Sequence, residues 1–261
     1  MTAAEALRTT RIDRLDAEVL LAHLLGIPRL TMLLNPDCVI DAAAFEALVA
    51  RRTAHEPVAY IIGTREFWSL DLAVNPGVLI PRPDSETLIE AAIAHFGDRA
   101  PGNILDLGTG SGALLLAALD VWPSAHGVGL DTSEAALTTA RANAERLNSH
   151  ARIEHGSWAG TGDRFDLILC NPPYIAAAAQ LPPDVVDWEP ASALFAGPDG
   201  LDDYRLIAPL IGAQLTPGGV ACIEIGADQQ YSAAALFRAA GLTVVLRRDL
   251  AGLPRCLVVT N

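Results

Sequence analysis

The N-terminal part of the chain repeats apolar positions with the period of an α-helix. In the stretch LDAEVLLAHLLG the apolar residues recur at helical spacing, at Leu15, Val19, Leu20 and Leu24. This pattern predicts a helix that ends at Gly26, because glycine is favoured just beyond a helix C terminus. Asp41 precedes a second helical pattern and is expected to cap it. We therefore predict a small helical domain over residues 1–62.

The pattern then changes to short alternating segments in REFWSLDLAVNPGVLIP. Alternation of apolar and polar residues is typical of β-strands, and Asn75-Pro76-Gly77 is a turn signal. Residues 63–83 are therefore predicted to form a β-hairpin linker.

From residue 84 onward, apolar strand-like runs alternate with helical patterns. The predicted strands cover 103–107, 126–130, 152–156, 166–170, 219–225, 242–247 and 256–260. The predicted helices lie near 110–121, 133–147, 203–215 and 229–240. Such alternation indicates an α/β domain with a mostly parallel seven-stranded sheet and helices on both faces, here over residues 84–261.

The charge narrows the range of partners. The chain carries a formal net charge of −13, and all 18 of its basic residues are arginine. It therefore lacks the basic footprint of a protein that binds duplex nucleic acid, and a small substrate or a protein partner fits better. Four cysteines without a CxxC pair predict neither disulfides nor a metal site. No apolar run approaches the roughly 20 residues of a membrane span, so we expect a cytoplasmic protein.

A glycine-rich turn joins the first predicted strand to a helix in NILDLGTGSGALLLAAL, residues 103–119. The turn consists of Gly108, Thr109, Gly110, Ser111 and Gly112. Glycine lets the backbone approach a ligand without a Cβ clash. The G-x-G-x-G spacing suits a nucleoside without a pyrophosphate, such as S-adenosylmethionine, and a tight turn without a ligand is the alternative.

Two further elements extend this site. Asp131 ends the next predicted strand, where a carboxylate can accept hydrogen bonds from both ribose hydroxyls. The alternative for Asp131 is a helix cap, although Thr132 or Ser133 could also cap that helix. Trp158 follows the third strand and either flanks an adenine ring or packs under a loop. Asp106, inside the first strand, either orients the glycine loop or reaches the ligand's amino group.

The segment Asn171-Pro172-Pro173-Tyr174 follows the fourth predicted strand, which we expect to lie beside the first. Proline fixes φ and restricts the residue before it, so the segment is rigid. It also lacks two N–H donors, which leaves the Asn171 side-chain oxygen and the Pro172 carbonyl as acceptors for a planar NH₂ group. Holding both hydrogens aims the nitrogen at an electrophile such as a sulfonium methyl group. Tyr174 would stack on the planar group.

These motifs resemble the class I S-adenosylmethionine-dependent methyltransferases, which have a Rossmann-like sheet. More narrowly, the chain resembles the release factor glutamine methyltransferases, the HemK/PrmC family. The similarity rests on REFW, IPRPDSE, ILDLGTGSGALLLAAL, NPPYI, DWEP, GPDGLDDYRLI and DLAGLPRCLVV. It implies methylation of the glutamine in the Gly-Gly-Gln motif of peptide chain release factors, which the N-terminal helical domain would engage.

The resemblance also implies roles for individual residues. Cofactor binding is expected of the loop 108–112 and of Asp131, Trp158 and Asn171. Substrate contact is expected of Asn171, Pro172, Pro173 and Tyr174, with Asn171, Pro172 and Tyr174 as the catalytic set. Phe67, Arg82 and Glu86 are expected to line the substrate entrance. For Arg82 the alternative is a salt bridge to Asp84 or Glu86.

Three other functions stay open. The same chemistry would serve a glutamine in a large-subunit ribosomal protein. Adenine N6 methylation of nucleic acid would need a basic groove and a base-flipping pocket, against which the charge argues. A binding module without chemistry would not need the Asn-Pro-Pro-Tyr segment. We expect the protein to be monomeric.

Overall fold

The computed structural model describes all of residues 1–261 and divides them into two compact units. The first unit comprises Met1–Thr64 and Leu181–Trp188, and the second comprises Arg65–Gln180 and Glu189–Asn261. The helices are α1 (Ala3–Thr9), α2 (Arg14–Leu25), α3 (Arg29–Leu34), α4 (Ala42–Thr53), α5 (Val58–Ile62), α6 (Glu86–Phe96), α7 (Ala113–Val121), α8 (Glu134–Arg146), α9 (Pro183–Val186), α10 (Asp202–Gln214) and α11 (Gln230–Ala239). None of them combines the length and apolar composition needed to cross a bilayer.

The N-terminal unit is helical, as the apolar period predicts. Helix α2 ends at Gly26, whose φ of 64° is left-handed, and Asp41 caps α4 by accepting hydrogen bonds from the N–H groups of Ala43 and Ala44. Both predicted helix ends are therefore confirmed. The core of this unit is formed by buried apolar side chains, among them Leu20, Leu21, Met32, Phe45 and Val49.

A two-stranded sheet follows, formed by β1 (Thr64–Phe67) and β2 (Leu70–Ala73). Its turn lies at Trp68 and Ser69, not at the Asn75-Pro76-Gly77 signal. Trp68 takes a positive φ of 57° in this turn, which a tryptophan rarely does. Asn75 instead accepts a hydrogen bond from the Gly77 N–H at 2.9 Å, which makes a separate side-chain turn after β2.

The second unit contains a seven-stranded sheet. Its strands are β3 (Asn103–Leu107), β4 (His126–Asp131), β5 (Arg152–His155), β6 (Phe165–Cys170), β7 (Leu215–Glu224), β8 (Thr243–Arg248) and β9 (Pro254–Thr260). The spatial order is β5-β4-β3-β6-β7-β9-β8. All neighbours are parallel except β9, which is antiparallel to both β7 and β8. The α/β fold with a mostly parallel seven-stranded sheet is therefore confirmed.

Two differences from the predicted elements concern the site. Helix α6 was not among the predicted helices. It buries one apolar face that includes Leu88, Ile89 and Ala92 in the core around β3. Helix α7 begins at Ala113 instead of residue 110, because Gly108, Gly110 and Gly112 all take positive φ and the chain is not yet helical there.

The strand order brings the site together. Strand β6 lies directly beside β3, with Leu107 opposite Cys170 in the parallel register. The chain order reverses at this pair, since β4 and β5 continue on one side and β7 on the other. Ligands of open α/β sheets bind beyond the carboxyl ends of strands at such a reversal. The glycine loop after β3 and Asn171 after β6 both leave the sheet at this edge.

Candidate active site

The glycine loop between β3 and α7 depends on its glycines. Gly108 has a φ of 72°, and a Cβ atom there would come within 3.1 Å of Cη2 of Trp158. Any other residue at 108 would therefore meet both backbone strain and an aromatic ring. The backbone N–H groups of Gly108 and Thr109 donate to the Leu130 carbonyl at 2.9 Å, which ties the loop to the end of β4.

Asp131 holds the tip of the same loop. Its Oδ2 accepts a hydrogen bond from the Gly110 N–H at 2.9 Å, and its Oδ1 accepts one from the Ser133 N–H at 2.9 Å. The cap of α8 is Ser133, whose hydroxyl accepts from the Ala136 N–H. A carboxylate offers about four acceptor sites, so each Asp131 oxygen keeps capacity for a further donor.

Asp106 lies under the loop and is 1% exposed. Burial raises the pKa of this carboxyl to about 7, and a hydrogen bond from the Thr109 hydroxyl opposes the rise. That hydroxyl donates to Oδ2 at 2.6 Å, while Oδ1 is buried without a partner. The contact agrees with the first of the two predicted roles, orientation of the glycine loop.

Trp158 stands against the loop with a fixed ring. Its indole Nε1 donates to Oδ1 of Asp203 at 2.9 Å, and its carbonyl accepts from Nε2 of Gln214 at 3.0 Å. Asp203 had not been singled out from the sequence. Burial raises the pKa of its carboxyl and the bond from Trp158 opposes that rise. The only feature of the sequence that could have indicated Asp203 as a site residue is its position in GPDGLDDYRLI, at the start of α10.

These groups border one cavity of about 240 Å³. Of the predicted site residues, it is lined by Gly108, Gly110, Asp131, Trp158, Asn171 and Pro173. The wall is completed by further residues, among them Val78, Ser157, Pro190, Ser192 and Asp203. Thr109 and Ser111 are buried beneath the loop instead. The structure thus brings the glycine loop, Asp131, Trp158 and Asn171 to a common space.

The Asn171–Tyr174 segment leaves β6 at the edge of this cavity. Asn171 Nδ2 donates to the hydroxyl of Ser85 at 3.2 Å. Tyr174 donates from its hydroxyl to Oε1 of Glu224 at 3.2 Å, and its carbonyl accepts from Nε2 of Gln229 at 2.9 Å. Burial raises the pKa of the Tyr174 hydroxyl, so it stays protonated at neutral pH. Side-chain contacts therefore hold both ends of the segment.

None of the three residues expected at the substrate entrance lines the cavity. Phe67 is 1% exposed and packs in the core around β3, so the structure does not put it on the cavity wall. Arg82 pairs with Glu189, and not with Asp84 or Glu86 as the alternative had it. Glu86 accepts a hydrogen bond from the Trp68 N–H at 2.8 Å and so holds the hairpin turn. Glu189 also accepts from the Ile80 N–H at 3.1 Å.

Comparison with known proteins identifies the family to which a chain with this site belongs. Residues 1–63 match the family model of the PrmC N-terminal domain, and residues 84–187 match that of the methyltransferase small domain. A release factor glutamine methyltransferase of Rhodospirillum rubrum is 44% identical over 254 residues, which cover 94% of this chain and 78% of that protein. The chain belongs to the release factor glutamine methyltransferase family. The family predicted from the motifs is therefore confirmed.

Other members of the release factor glutamine methyltransferase family match over nearly their whole length. That of Cereibacter sphaeroides is 45% identical over 274 aligned positions, covering 98% of this chain and 97% of that protein. Among solved structures, a methyltransferase from Pyrococcus furiosus aligns with a TM-score of 0.56 at 18% identity, covering 80% of this chain and 95% of that chain. A ribosomal protein L11 methylase from Lactobacillus delbrueckii aligns with a TM-score of 0.52 at 19% identity, covering 71% and 82%. These two structures support the fold alone.

Proposed function

We propose that this protein transfers a methyl group from S-adenosylmethionine to the side-chain nitrogen of the glutamine in the Gly-Gly-Gln motif of peptide chain release factors. The observation that carries the proposal is the common cavity of the glycine loop, Asp131 and Asn171. The curated relatives named release factor glutamine methyltransferase support the choice of substrate.

The residues around the cavity fit S-adenosylmethionine. Asp131 has spare acceptor capacity on both carboxylate oxygens, which two ribose hydroxyls require. Trp158 offers an aromatic surface for a purine, and the backbone at Gly108 and Gly110 lacks side chains that would fill the space. Asp131 and Asp203 make the lining acidic, which suits a cationic sulfonium ligand. When bound, S-adenosylmethionine supplies an electrophilic methyl group.

The chain's own contribution is to orient the substrate amide. An amide nitrogen is a poor nucleophile because its lone pair is delocalised into the carbonyl group. The Asn171 side-chain oxygen and the Pro172 carbonyl each accept one hydrogen of the glutamine NH₂ group, so that its nitrogen faces the cavity. Alignment of this kind supplies up to about 7–11 kcal/mol of the barrier reduction. The same oxygens stabilise positive charge that develops on nitrogen, and Tyr174 supports the flat face of the amide.

The N-terminal helical unit is proposed to engage the release factor. The net charge of −13 favours a neutral or basic protein partner over nucleic acid. Residues 1–62, 63–83 and 84–261 are proposed as the recognition domain, the linker and the methyltransferase domain.

The proposal is tested by incubating the purified protein with S-adenosylmethionine and release factor, followed by mass spectrometry of the factor. We expect a gain of one methyl group on the Gly-Gly-Gln glutamine, and none on a factor in which alanine replaces that glutamine. Equal labelling of both factors would refute the assignment. Large-subunit ribosomal proteins form a second arm, and methylation there without methylation of the factor would favour the ribosomal alternative.

A further inference from the structure

A buried polar cluster lies behind the Asn171–Tyr174 segment, away from the cavity wall. Its members outside the segment are Ser85, just before α6, and Glu224, the last residue of β7. They are 3% and 1% exposed, respectively. Glu224 reaches the segment because β7 lies beside β6, with Ile223 opposite Cys170 in the parallel register. Glu224 directly follows Ile223, and Asn171 directly follows Cys170, so the two residues lie side by side at the ends of their strands.

Hydrogen bonds connect this cluster to both ends of the segment. Asn171 Nδ2 donates to the Ser85 hydroxyl at 3.2 Å, and the Tyr174 hydroxyl donates to Oε1 of Glu224 at 3.2 Å. The second carboxylate oxygen of Glu224, Oε2, is buried without a hydrogen-bond partner in this geometry. Burial raises the pKa of Glu224 to about 7, and the Ser85 hydroxyl opposes the rise, as a donor directed toward a carboxylate does.

The chemistry of these groups determines which of them donate hydrogen bonds and which accept them. An ionised carboxylate only accepts hydrogen bonds, so the Tyr174 hydroxyl donates to Oε1, and a hydroxyl turned toward the unpartnered Oε2 can only donate to it. With its hydrogen turned toward Oε2, the Ser85 hydroxyl offers only lone pairs to Asn171, whose Nδ2 donates to it at 3.2 Å. The side chain of Asn171 must then turn its NH₂ group toward Ser85. This orientation leaves Asn171 Oδ1 available to the cavity that Asn171 lines.

The opposite orientation would disable the site. If the residue at 224 could donate a hydrogen bond, Ser85 could accept it and donate its own hydrogen to Asn171 Oδ1. The Asn171 amide would then present its NH₂ group to the cavity. A donor there would oppose the NH₂ group of a glutamine substrate instead of accepting from it.

We propose that Ser85 and Glu224 are positioning residues, which together fix the Asn171 amide with its oxygen toward the substrate and hold the Tyr174 ring. This inference rests on the proposed function, since it assigns the oxygen to a substrate NH₂ group. Neither residue lines the cavity, and each acts through a residue of the Asn171–Tyr174 segment that it contacts.

The charged and titratable neighbours of Glu224 come from several elements. Arg255 of β9 favours the charged carboxylate, whereas Asp84 before α6 disfavours it, and these two residues pair at 3.0 Å. Arg255 also bonds Asp249 at 3.3 Å. The Tyr204 hydroxyl donates to the Glu224 backbone carbonyl at 2.9 Å, and the thiols of Cys170 and Cys256 are buried nearby.

The test compares Ser85→Ala and Glu224→Gln with wild type in steady-state methylation of release factor at saturating S-adenosylmethionine. Glutamine has the shape of glutamate but adds an NH₂ donor, so it permits the disabling orientation. We expect kcat to fall at least tenfold in both variants, which is about 1.4 kcal/mol. The KM for release factor and the Kd for S-adenosylhomocysteine, measured by calorimetry, should stay within about twofold. Ser85→Thr keeps the hydroxyl and should restore most of kcat.

Two matched controls separate this effect from a general loss of polar contacts. Asp166→Asn replaces a carboxylate at the opposite end of β6, which accepts from the Thr216 hydroxyl at 2.7 Å. Ser149→Ala removes a hydroxyl that accepts from the Ala151 N–H at 3.3 Å. Both should keep wild-type kcat. The double variant Ser85→Ala/Glu224→Gln should lose no more than the worse single variant, because both act through Asn171.

The dependence of kcat on pH provides a further test, because a purely structural role of Glu224 would not change this dependence. Wild-type kcat should fall as the pH drops below about 7, since protonated Glu224 can donate to Ser85. The kcat of Glu224→Gln should be low at every pH and should not fall further as the pH drops below about 7. Asp106, whose pKa is also raised to about 7, lies under the cofactor loop, so the dependence of kcat on pH is measured for Asp106→Asn as well, and the fall in kcat at acid pH should persist in that variant.

The outcomes are distinct. A wild-type protein that leaves release factor unmethylated refutes the proposed function and this inference with it. A methylated factor with unchanged kcat in Ser85→Ala refutes the inference alone, as does a fall in kcat matched by a similar loss of S-adenosylhomocysteine affinity. Ser85→Ala, which removes a single oxygen atom, decides the matter if Glu224→Gln does not fold.

Discussion

Gly108→Ala is the sharpest test of the glycine loop. At a φ of 72°, alanine pays the left-handed penalty of about 1–2 kcal/mol. Its Cβ would also lie 3.1 Å from Cη2 and 3.2 Å from Cζ3 of Trp158. The ring is fixed by its bond to Asp203 and cannot move away without straining that contact. Overpacking of this kind costs a further ~1–3 kcal/mol.

Gly162→Ala provides the matched control. Gly162 has a φ of 89°, and a Cβ there would meet nothing within 4 Å. This variant therefore carries only the backbone penalty, and the difference between the two variants measures the clash with Trp158. We expect Gly108→Ala to lower the free energy of unfolding by about 2–5 kcal/mol and Gly162→Ala by about 1–2 kcal/mol.

Urea denaturation followed by circular dichroism measures both losses, and calorimetry measures the affinity for S-adenosylhomocysteine. Affinity should fall in Gly108→Ala, because the displaced indole borders the cavity, and should not change in Gly162→Ala. In a Trp158→Phe background the excess cost of Gly108→Ala should disappear, since phenylalanine lacks the second ring. Equal losses of stability in Gly108→Ala and Gly162→Ala, with unchanged affinity in both, would show that the contact does not shape the site.

Three further outcomes are expected. Asn171→Ala should lower kcat by about 10²-fold or more, because the amide mainly orients substrate, whereas the Kd for S-adenosylhomocysteine should change much less. Steady-state kinetics measure kcat and calorimetry measures the Kd. An unchanged kcat would exclude a role for Asn171 in orienting the substrate. Asp131→Asn should raise that Kd by about 10–100-fold through the loss of a charge-assisted hydrogen bond, and an unchanged Kd would exclude ribose binding. Burial raises the pKa of Asp106 from 3.8 to about 7, so the folded state binds more protons than the unfolded state between these values, and the free energy of unfolding falls as the pH rises through this window. Urea denaturation from pH 4 to 8 should therefore show a smaller decline for Asp106→Asn than for wild type, and parallel curves would contradict the assigned burial.

The sequence predicted the elements of the catalytic unit well because buried parallel strands are apolar over most of their length. Strand β6 is apolar from Leu167 to Cys170, and its end is marked by a polar residue and two prolines. The position of the hairpin turn was predicted wrongly, because the residues that form it carry a weak turn signal. Trp68 and Ser69 are not typical turn residues, whereas Asn75-Pro76-Gly77 carries a strong signal that belongs to a side-chain turn.

Pairings between distant residues could not be predicted from the chain alone. Arg82 was expected either at the substrate entrance or beside a carboxylate two or four positions away, yet its partner is Glu189, 107 positions along the chain. Glu224 was not predicted as a site residue, although it lies between two isoleucines inside the predicted strand 219–225. Its importance depends on burial and on the strand order, which places it beside Asn171.

The fold explains why the site combines rigid and hydrogen-bonded parts. Proline rings set the backbone after Asn171, but they do not determine which face of the Asn171 amide points to the cavity, because oxygen and NH₂ have nearly the same shape. That choice needs a hydrogen-bond partner with one possible direction, and a buried carboxylate provides it only while it is ionised. Strand β7 can deliver this carboxylate because it pairs with β6 on the side opposite β3, which carries the glycine loop. In the proposed mechanism the two neighbours of β6 have separate roles: the loop after β3 binds the methyl donor, and Glu224 at the end of β7 orients the group that holds the acceptor.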